Sequence, residues 1–229
     1  MLNHLFSLVF PDVCAHCRVS LLHNERFVCS FCFGQIHFFD FPKEEEEIAD
    51  RVFYGKVRVE KAFSLFYFIK GGVSQSLIHH VKYKNKAALG VYLGKLLGAA
   101  IMQHTVFQNV DVIVPVPLTK RKQRKRGYNQ SEKIAKGIAA KLQKPLLADY
   151  LLRVKQKESQ TQYNKFTRWQ NINHCFEVNK KAQQHFKHIL LVDDVITTGA
   201  TLESCVRVIL ESGDLKVSIA SLAFAPQPL

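Results

Sequence analysis

The chain has 229 residues, 47% of them apolar, which is enough to bury one good core with a small appendage and too much for a disordered protein. Its formal net charge is +13 in spite of five acids between Lys43 and Asp50, and such an excess suits an anionic partner: a polyphosphate, a nucleic acid or a membrane surface. No apolar run reaches the roughly 18 residues of a membrane span, and Met1 to Phe10 lacks a basic leader and a small-residue cleavage site, so membrane insertion is not expected and the expected location is cytoplasmic.

In chain order, Cys14, Cys17, Cys29 and Cys32 form two Cys-x-x-Cys pairs with eleven residues between them. Two such knuckles can present four thiolates to one tetrahedral Zn²⁺, and four thiolates leave no open position for catalysis, so the metal is expected to be structural. A pair of disulfides is the competing reading and needs an oxidising compartment. His16 and His23 read as bystanders, and Cys175 and Cys205 as ordinary apolar positions. Phe41-Pro42-Lys43 and the glutamates Glu44 to Glu47 then mark a boundary near residue 50: a zinc-ribbon-like module with an acidic linker over 1–50, and a larger domain over 51–229.

Residues 61–69 are aromatic and β-prone and end at Gly71-Gly72, which predicts a strand. Leu77, Ile78 and Val81, then Leu89, Leu93, Leu96, Leu97 and Ile101, recur at helical spacing. Lys82 to Lys86 between them reads as an exposed basic turn or as an anion contact. Asp111 to Val116 predicts a second strand, followed by a loop with six cations in the seven residues Lys120 to Arg126 and by a helix marked by Ile134, Ile138 and Leu142. Residues 145–154 read as a further strand. Lys155 to Trp169 is polar and long, either a lid or a surface excursion, with Trp169 as a packing anchor. Ile189 to Val192 predicts a strand buried on both faces, and Lys216 to Ala225 a last strand. Strands alternating with helices predict an α/β fold with an open, mainly parallel sheet and flanking helices.

The most informative stretch is 188–202. The predicted strand leaves the sheet at Asp193-Asp194, and the small, hydroxyl-bearing Thr197-Thr198-Gly199-Ala200-Thr201 opens a helix marked by Leu202, Val206, Ile209 and Leu210. Gly199 permits close backbone approach, and the free N–H groups at a helix start favour a phosphate. Adjacent carboxylates can accept hydrogen bonds from two neighbouring sugar hydroxyls or hold magnesium with them. Phosphate at one end and a diol at the other describe a ribose 5-phosphate. No Gly-Lys-Ser/Thr follows, so this is not a Walker-type nucleotide loop.

This motif closely resembles the phosphoribosyl-diphosphate (PRPP) binding motif of the type I phosphoribosyltransferases. The resemblance implies that Asp193 and Asp194 bind the ribose hydroxyls and that Thr197, Thr198, Gly199, Ala200 and Thr201 wrap the 5-phosphate. It also implies that Val116, Pro117, Leu118 and Thr119 supply backbone contacts to the diphosphate, with Arg126 meeting the charge of the leaving diphosphate. Over nearly its whole length the chain resembles the ComF family (competence protein ComFC and GntX-like proteins). That match rests on the four cysteines, Lys82-Tyr83, Arg126-Gly127-Tyr128-Asn129-Gln130, Gln160-Thr161-Gln162 with Arg168 and Asn171, and Val192 to Leu202. It implies the type I phosphoribosyltransferase fold, PRPP with Mg²⁺, structural Zn²⁺, and a place in DNA uptake, with phosphoribosyl transfer from PRPP as the expected enzymatic activity. The alternative is a non-catalytic factor that keeps the PRPP site as a sensor or fold element while binding single-stranded DNA or a DNA-uptake helicase.

Overall fold

The computed structural model describes residues 12–39, 48–83, 86–154, 175–179, 182 and 186–225. The acidic run Glu44 to Glu47, Gln160 to Gln162, Arg168, Trp169 and Asn171 lie outside them.

Four parallel strands form the central sheet in the order β1-β6-β5-β2, where β1 is Ala62–Tyr67, β2 Val112–Pro115, β5 His188–Ile196 and β6 Lys216–Phe224. Ile113 and Leu146 extend it by one parallel bridge, and Phe38 and Phe66 by one antiparallel bridge at the opposite edge. Every residue of β2 is buried, as are eight of the nine in β6, the pattern of strands covered on both faces. The predicted strand at 145–154 shrinks to β3, Leu151–Arg153, which pairs antiparallel with β4, Phe176–Val178, in a hairpin outside the main sheet.

The helices are α1 (Ser30–Gly34), α2 (Ile48–Arg51), α3 (Val73–Tyr83), α4 (Ala87–Ile101), α5 (Thr105–Gln108), α6 (Lys120–Arg126), α7 (Gln130–Leu142) and α8 (Ala200–Glu211). Helix α4 carries glycine at positions 90, 94 and 98, one per turn on one face, and α7 answers with Gly137. The two helices approach until backbone meets backbone: a Cβ on Gly94 would stand 2.1 Å from the Ile134 carbonyl oxygen, and one on Gly137 2.2 Å from that of Val91. Leucine periodicity predicts α4 but does not register this glycine row, which sets how closely α7 lies against it.

Two readings change. The run Lys120 to Arg126, expected as a loop, is helical: Thr119 caps it by accepting from the Lys122 N–H at 3.2 Å, and Gly127 ends it in the left-handed conformation, φ 80°. Strand β5 also does not end before the acidic pair. Pairing with β6 continues to Ile196, opposite Phe224, so Asp193 and Asp194 project from within an ordered strand and not from a turn.

Candidate functional site

Strands β2 and β5 are parallel neighbours, with Pro115 opposite Val192, so the chain leaves both at the same edge of the sheet. The carboxyl ends of adjacent parallel strands are where open α/β sheets bind ligands. One loop runs from Val116 to Thr119, the other from Thr197 to Gly199, and the acidic pair lies between.

Asp193 Oδ1 accepts from the Ser131 hydroxyl at 2.8 Å and from the Asp194 N–H at 2.8 Å. Ser131 stands in the first turn of α7, so the close α4–α7 packing also aims a hydroxyl at the acid. Burial, reinforced by the negative charge of Asp194, pushes the Asp193 carboxyl up to about 7. Asp194 is 6% exposed. Its Oδ2 lies 3.2 Å from Lys82 Nζ as an ion pair, with no hydrogen bond aligned to that oxygen. A buried carboxylate oxygen without a hydrogen bond is an acceptor that a sugar hydroxyl or a hard cation can satisfy.

Asp193, Val195 and the residues from Thr197 to Leu202 line one open depression. Thr197, Thr198, Ala200 and Thr201 are exposed there, while Gly199 is buried with φ 75°. A Cβ on Gly199 would fall 2.5 Å from Val52 Cγ1, so both conformation and close packing against the segment after α2 demand glycine. Helix α8 begins at Ala200 with no side-chain cap from Gly199; the Ala200 N–H donates to the Thr198 hydroxyl at 3.4 Å, and the start of a helix leaves further N–H groups without an intrahelical partner.

The loop from Val116 to Thr119 is braced by the run 126–130. Arg126 Nη1 donates to Gln130 Oε1 at 2.7 Å, Nη2 to the Tyr83 hydroxyl at 3.3 Å, and the guanidinium lies 5.0 Å from the centre of the Tyr83 ring. The Tyr128 hydroxyl donates to the Val81 carbonyl at 2.6 Å, fastening this loop to the end of α3. Asn129 caps α7 through Ser131 and donates from Nδ2 to the Val116 carbonyl at 3.0 Å. The Val116 N–H in turn donates to the Val192 carbonyl, so both backbone groups of Val116 serve the fold. Pro117 has no N–H. Of the four residues expected to contact diphosphate through their backbone, only Leu118 and Thr119 therefore keep an N–H to offer.

At the other end, the four thiols of Cys14, Cys17, Cys29 and Cys32 lie within 4.8 Å of one another, a cluster that could hold a metal ion. Cys29 caps α1, and the N–H of Cys32 points at its sulfur at 3.5 Å. Burial opposes ionisation of Cys14, yet the N–H groups of Cys29, His16 and Cys17 bring its thiol down to about 6, whereas burial pushes Cys32 up. Such a set suits a cation that takes thiolates. His16 is not among the clustered thiols; its Nδ1 lies 2.9 Å from the Ser76 hydroxyl and ties the cluster's loop to α3. Phe27 meets Tyr92 of α4 at 5.5 Å between ring centres. Cys205 is fully buried and burial raises its thiol well above the ordinary range, in keeping with an apolar position. Among the described residues no helix is long and apolar enough to cross a membrane.

Comparison with known proteins agrees with this architecture. A family model described as the phosphoribosyl transferase domain matches residues 125–229, a stretch of less than half of the chain that holds Arg126, the acidic pair and the threonine loop. Competence protein F of Haemophilus influenzae is 27% identical over 223 residues, 93% of this chain and 96% of that protein. The DNA utilization protein YhgH of Escherichia coli K12 is 27% identical over 146 residues, 62% of this chain and 63% of its own length. Competence protein ComFC of Bacillus subtilis is 32% identical over 102 residues, 44% of this chain and 39% of that protein. A parallel sheet with this domain and a four-cysteine cluster before it define a protein of the phosphoribosyltransferase type. Within that class the chain is similar to the ComF-type competence proteins, in the case of competence protein F over nearly its whole length.

Proposed function

We propose that this protein binds PRPP together with Mg²⁺ in the crevice between the two loops, transfers the phosphoribosyl group to an acceptor, and acts in DNA uptake, a reading supported by the competence and DNA-utilization names of its relatives. The observation that carries the reading is that Asp193 and the Thr197–Thr201 loop line one depression. A diol-binding acid and a phosphate-sized loop facing one depression support a ribose 5-phosphate as the ligand. Asp193 and Asp194 hold the ribose hydroxyls, and the N–H groups at the start of α8 hold the 5-phosphate. Leu118 and Thr119 meet the diphosphate through backbone N–H groups, and Arg126 places its guanidinium where negative charge grows as the diphosphate departs. The uncapped oxygen of Asp194 fits magnesium, which when bound neutralises diphosphate oxygens and so eases their departure. Positioning and electrostatics do the work, with no covalent nucleophile from the chain.

Calorimetric titration with PRPP and Mg²⁺ tests this. The wild type is expected to bind; an Arg126→Met variant, having lost a bidentate cation, should bind about tenfold or more weakly. A folded wild type that releases no heat overturns the proposal.

The basic helix α6 favours a second reading. Its 7 residues contain none that is buried and none that is acidic, a surface suited to a nucleic-acid backbone. In that reading the protein engages single-stranded DNA, or a helicase acting on it, and the PRPP crevice is a sensor. Single-stranded DNA bound by a protein that ignores PRPP would select it.

Residues 1–50 form, in this proposal, a module organised by one structural Zn²⁺ on the four thiolates, and residues 51–229 the phosphoribosyltransferase domain. Cys14→Ser should lose the metal and unfold that module, because the free energy of a structural zinc site is folding free energy, on the order of 10 kcal/mol in small zinc domains. Zinc content by mass spectrometry and the thermal melt check it; a variant that keeps both metal and melting temperature refutes a structural site.

A further inference from the structure

The last turn of α3 carries a residue that the proposed chemistry has not used. Lys82 Nζ lies 3.2 Å from Asp194 Oδ2, with the lysine side chain 24% exposed and that of the aspartate 9%. Lys82 comes from an element that gives the site neither a strand nor a loop, yet it reaches the acidic pair. Its neighbours hold it there. Val81 accepts from the Tyr128 hydroxyl, and Tyr83 receives Arg126 both as hydrogen-bond donor and against its ring. One helical turn thus touches the acidic pair with Lys82 and the diphosphate loop with the residues on either side.

Lys82 is the one cationic partner of Asp194 among the described residues. A partly buried ammonium gives up hydration that only an opposite charge restores. It also takes up the side of Asp194 Oδ2 that would hold magnesium. An ammonium and a divalent cation at one carboxylate oxygen repel one another, so a cation arriving there must displace the lysine. The anion nearest to a displaced Lys82 would be the diphosphate itself, beside Arg126.

We infer that Lys82 stands in for the divalent cation: its ammonium occupies Asp194 Oδ2 in the free protein and transfers to the diphosphate when magnesium-bound PRPP enters. The inference rests on the PRPP reading above. It makes the empty site poor at binding a free divalent cation and ties cation entry to that of the diphosphate.

Manganese alone, followed by electron paramagnetic resonance at pH 8 on the zinc-loaded full chain, is the probe that does not depend on turnover. Lys82→Met is expected to bind Mn²⁺ about fivefold or more tightly than wild type, because the competing cation is gone, while Lys82→Arg should bind it as weakly as wild type. With saturating Mg²⁺, calorimetry should show PRPP binding about tenfold weaker in Lys82→Met and restored in Lys82→Arg. Lys82→Gln replaces the methionine variant if that protein does not melt cooperatively. Equal Mn²⁺ affinity in wild type and the uncharged variant overturns the inference, whether or not PRPP binds. A gain in Mn²⁺ affinity in a protein whose wild type ignores PRPP keeps Lys82 as the cation's stand-in and overturns the PRPP reading instead.

Discussion

Asparagine at both Asp193 and Asp194 is expected to weaken PRPP binding by about 10²- to 10⁴-fold, the loss of two charge-assisted hydrogen bonds to the ribose hydroxyls at about 1.5–3 kcal/mol each. The fold should survive. An asparagine oxygen at 193 can still accept from Ser131 and from the next N–H, the two bonds Asp193 makes now. The wild type should also show a pH signature that the variant lacks. The Asp193 carboxyl is raised from an ordinary 3.8 to about 7, by burial first and Asp194 second, so the folded state holds its proton longer than the unfolded one. The stability this contributes is complete below pH 3.8 and is lost as pH rises through about 7. Binding of Mg²⁺ and PRPP needs the ionised form. Affinity should therefore climb up to about pH 7, and binding at pH 6 should release about one proton, read as a dependence of the heat on the buffer's ionisation enthalpy. A wild type with a flat profile, or a double variant that binds as well as wild type, would remove the acidic pair from the site.

Gly94→Ala is expected to lower the melting temperature by about 5 °C or more, a large effect for one methyl group. Its Cβ would meet the Ile134 carbonyl oxygen at 2.1 Å, the carbonyl carbon at 2.9 Å and Gly137 Cα at 3.1 Å, all backbone atoms that no rotamer change can move. Alanine returns about 1 kcal/mol of helix propensity, and a penalty at the upper end of the usual 1–3 kcal/mol for overpacking exceeds it. Separating α4 from α7 also withdraws Ser131 from Asp193, so PRPP affinity should fall with the melt. Gly213→Ala is the control, since nothing lies within 4 Å of its added Cβ. Equal melting temperatures for the two variants would show that the helices do not meet at backbone contact.

Much of the site was legible because its chemistry is local. Asp193, Asp194 and the threonine loop occupy nine consecutive positions, and a carboxylate pair followed by a phosphate-sized loop has few other uses. The cysteines were legible for the same reason, since two short knuckles carry their spacing within themselves. The secondary structure was harder wherever tertiary contacts override local preference. Six like charges in seven residues read as a solvated loop, yet Thr119 at one end and Gly127 at the other hold them as a helix. A strand that ought to stop at two acids runs on because β6 supplies hydrogen-bonding partners as far as Phe224.

Sequence by itself determined the class of sheet, the four-cysteine cluster and the acid–threonine motif, because periodicity and short spacings are properties of neighbouring residues. Only the tertiary structure decided which distant residues serve the motif. Ser131 reaches Asp193 across 62 positions, Tyr83 reaches Arg126 across 43, and Lys82 reaches Asp194 from another helix. His16 likewise ties the cysteine cluster to the helix that carries Lys82. Those pairings follow from parallel strands ending at one edge and from two helices whose glycines let their backbones touch, and no local pattern encodes either.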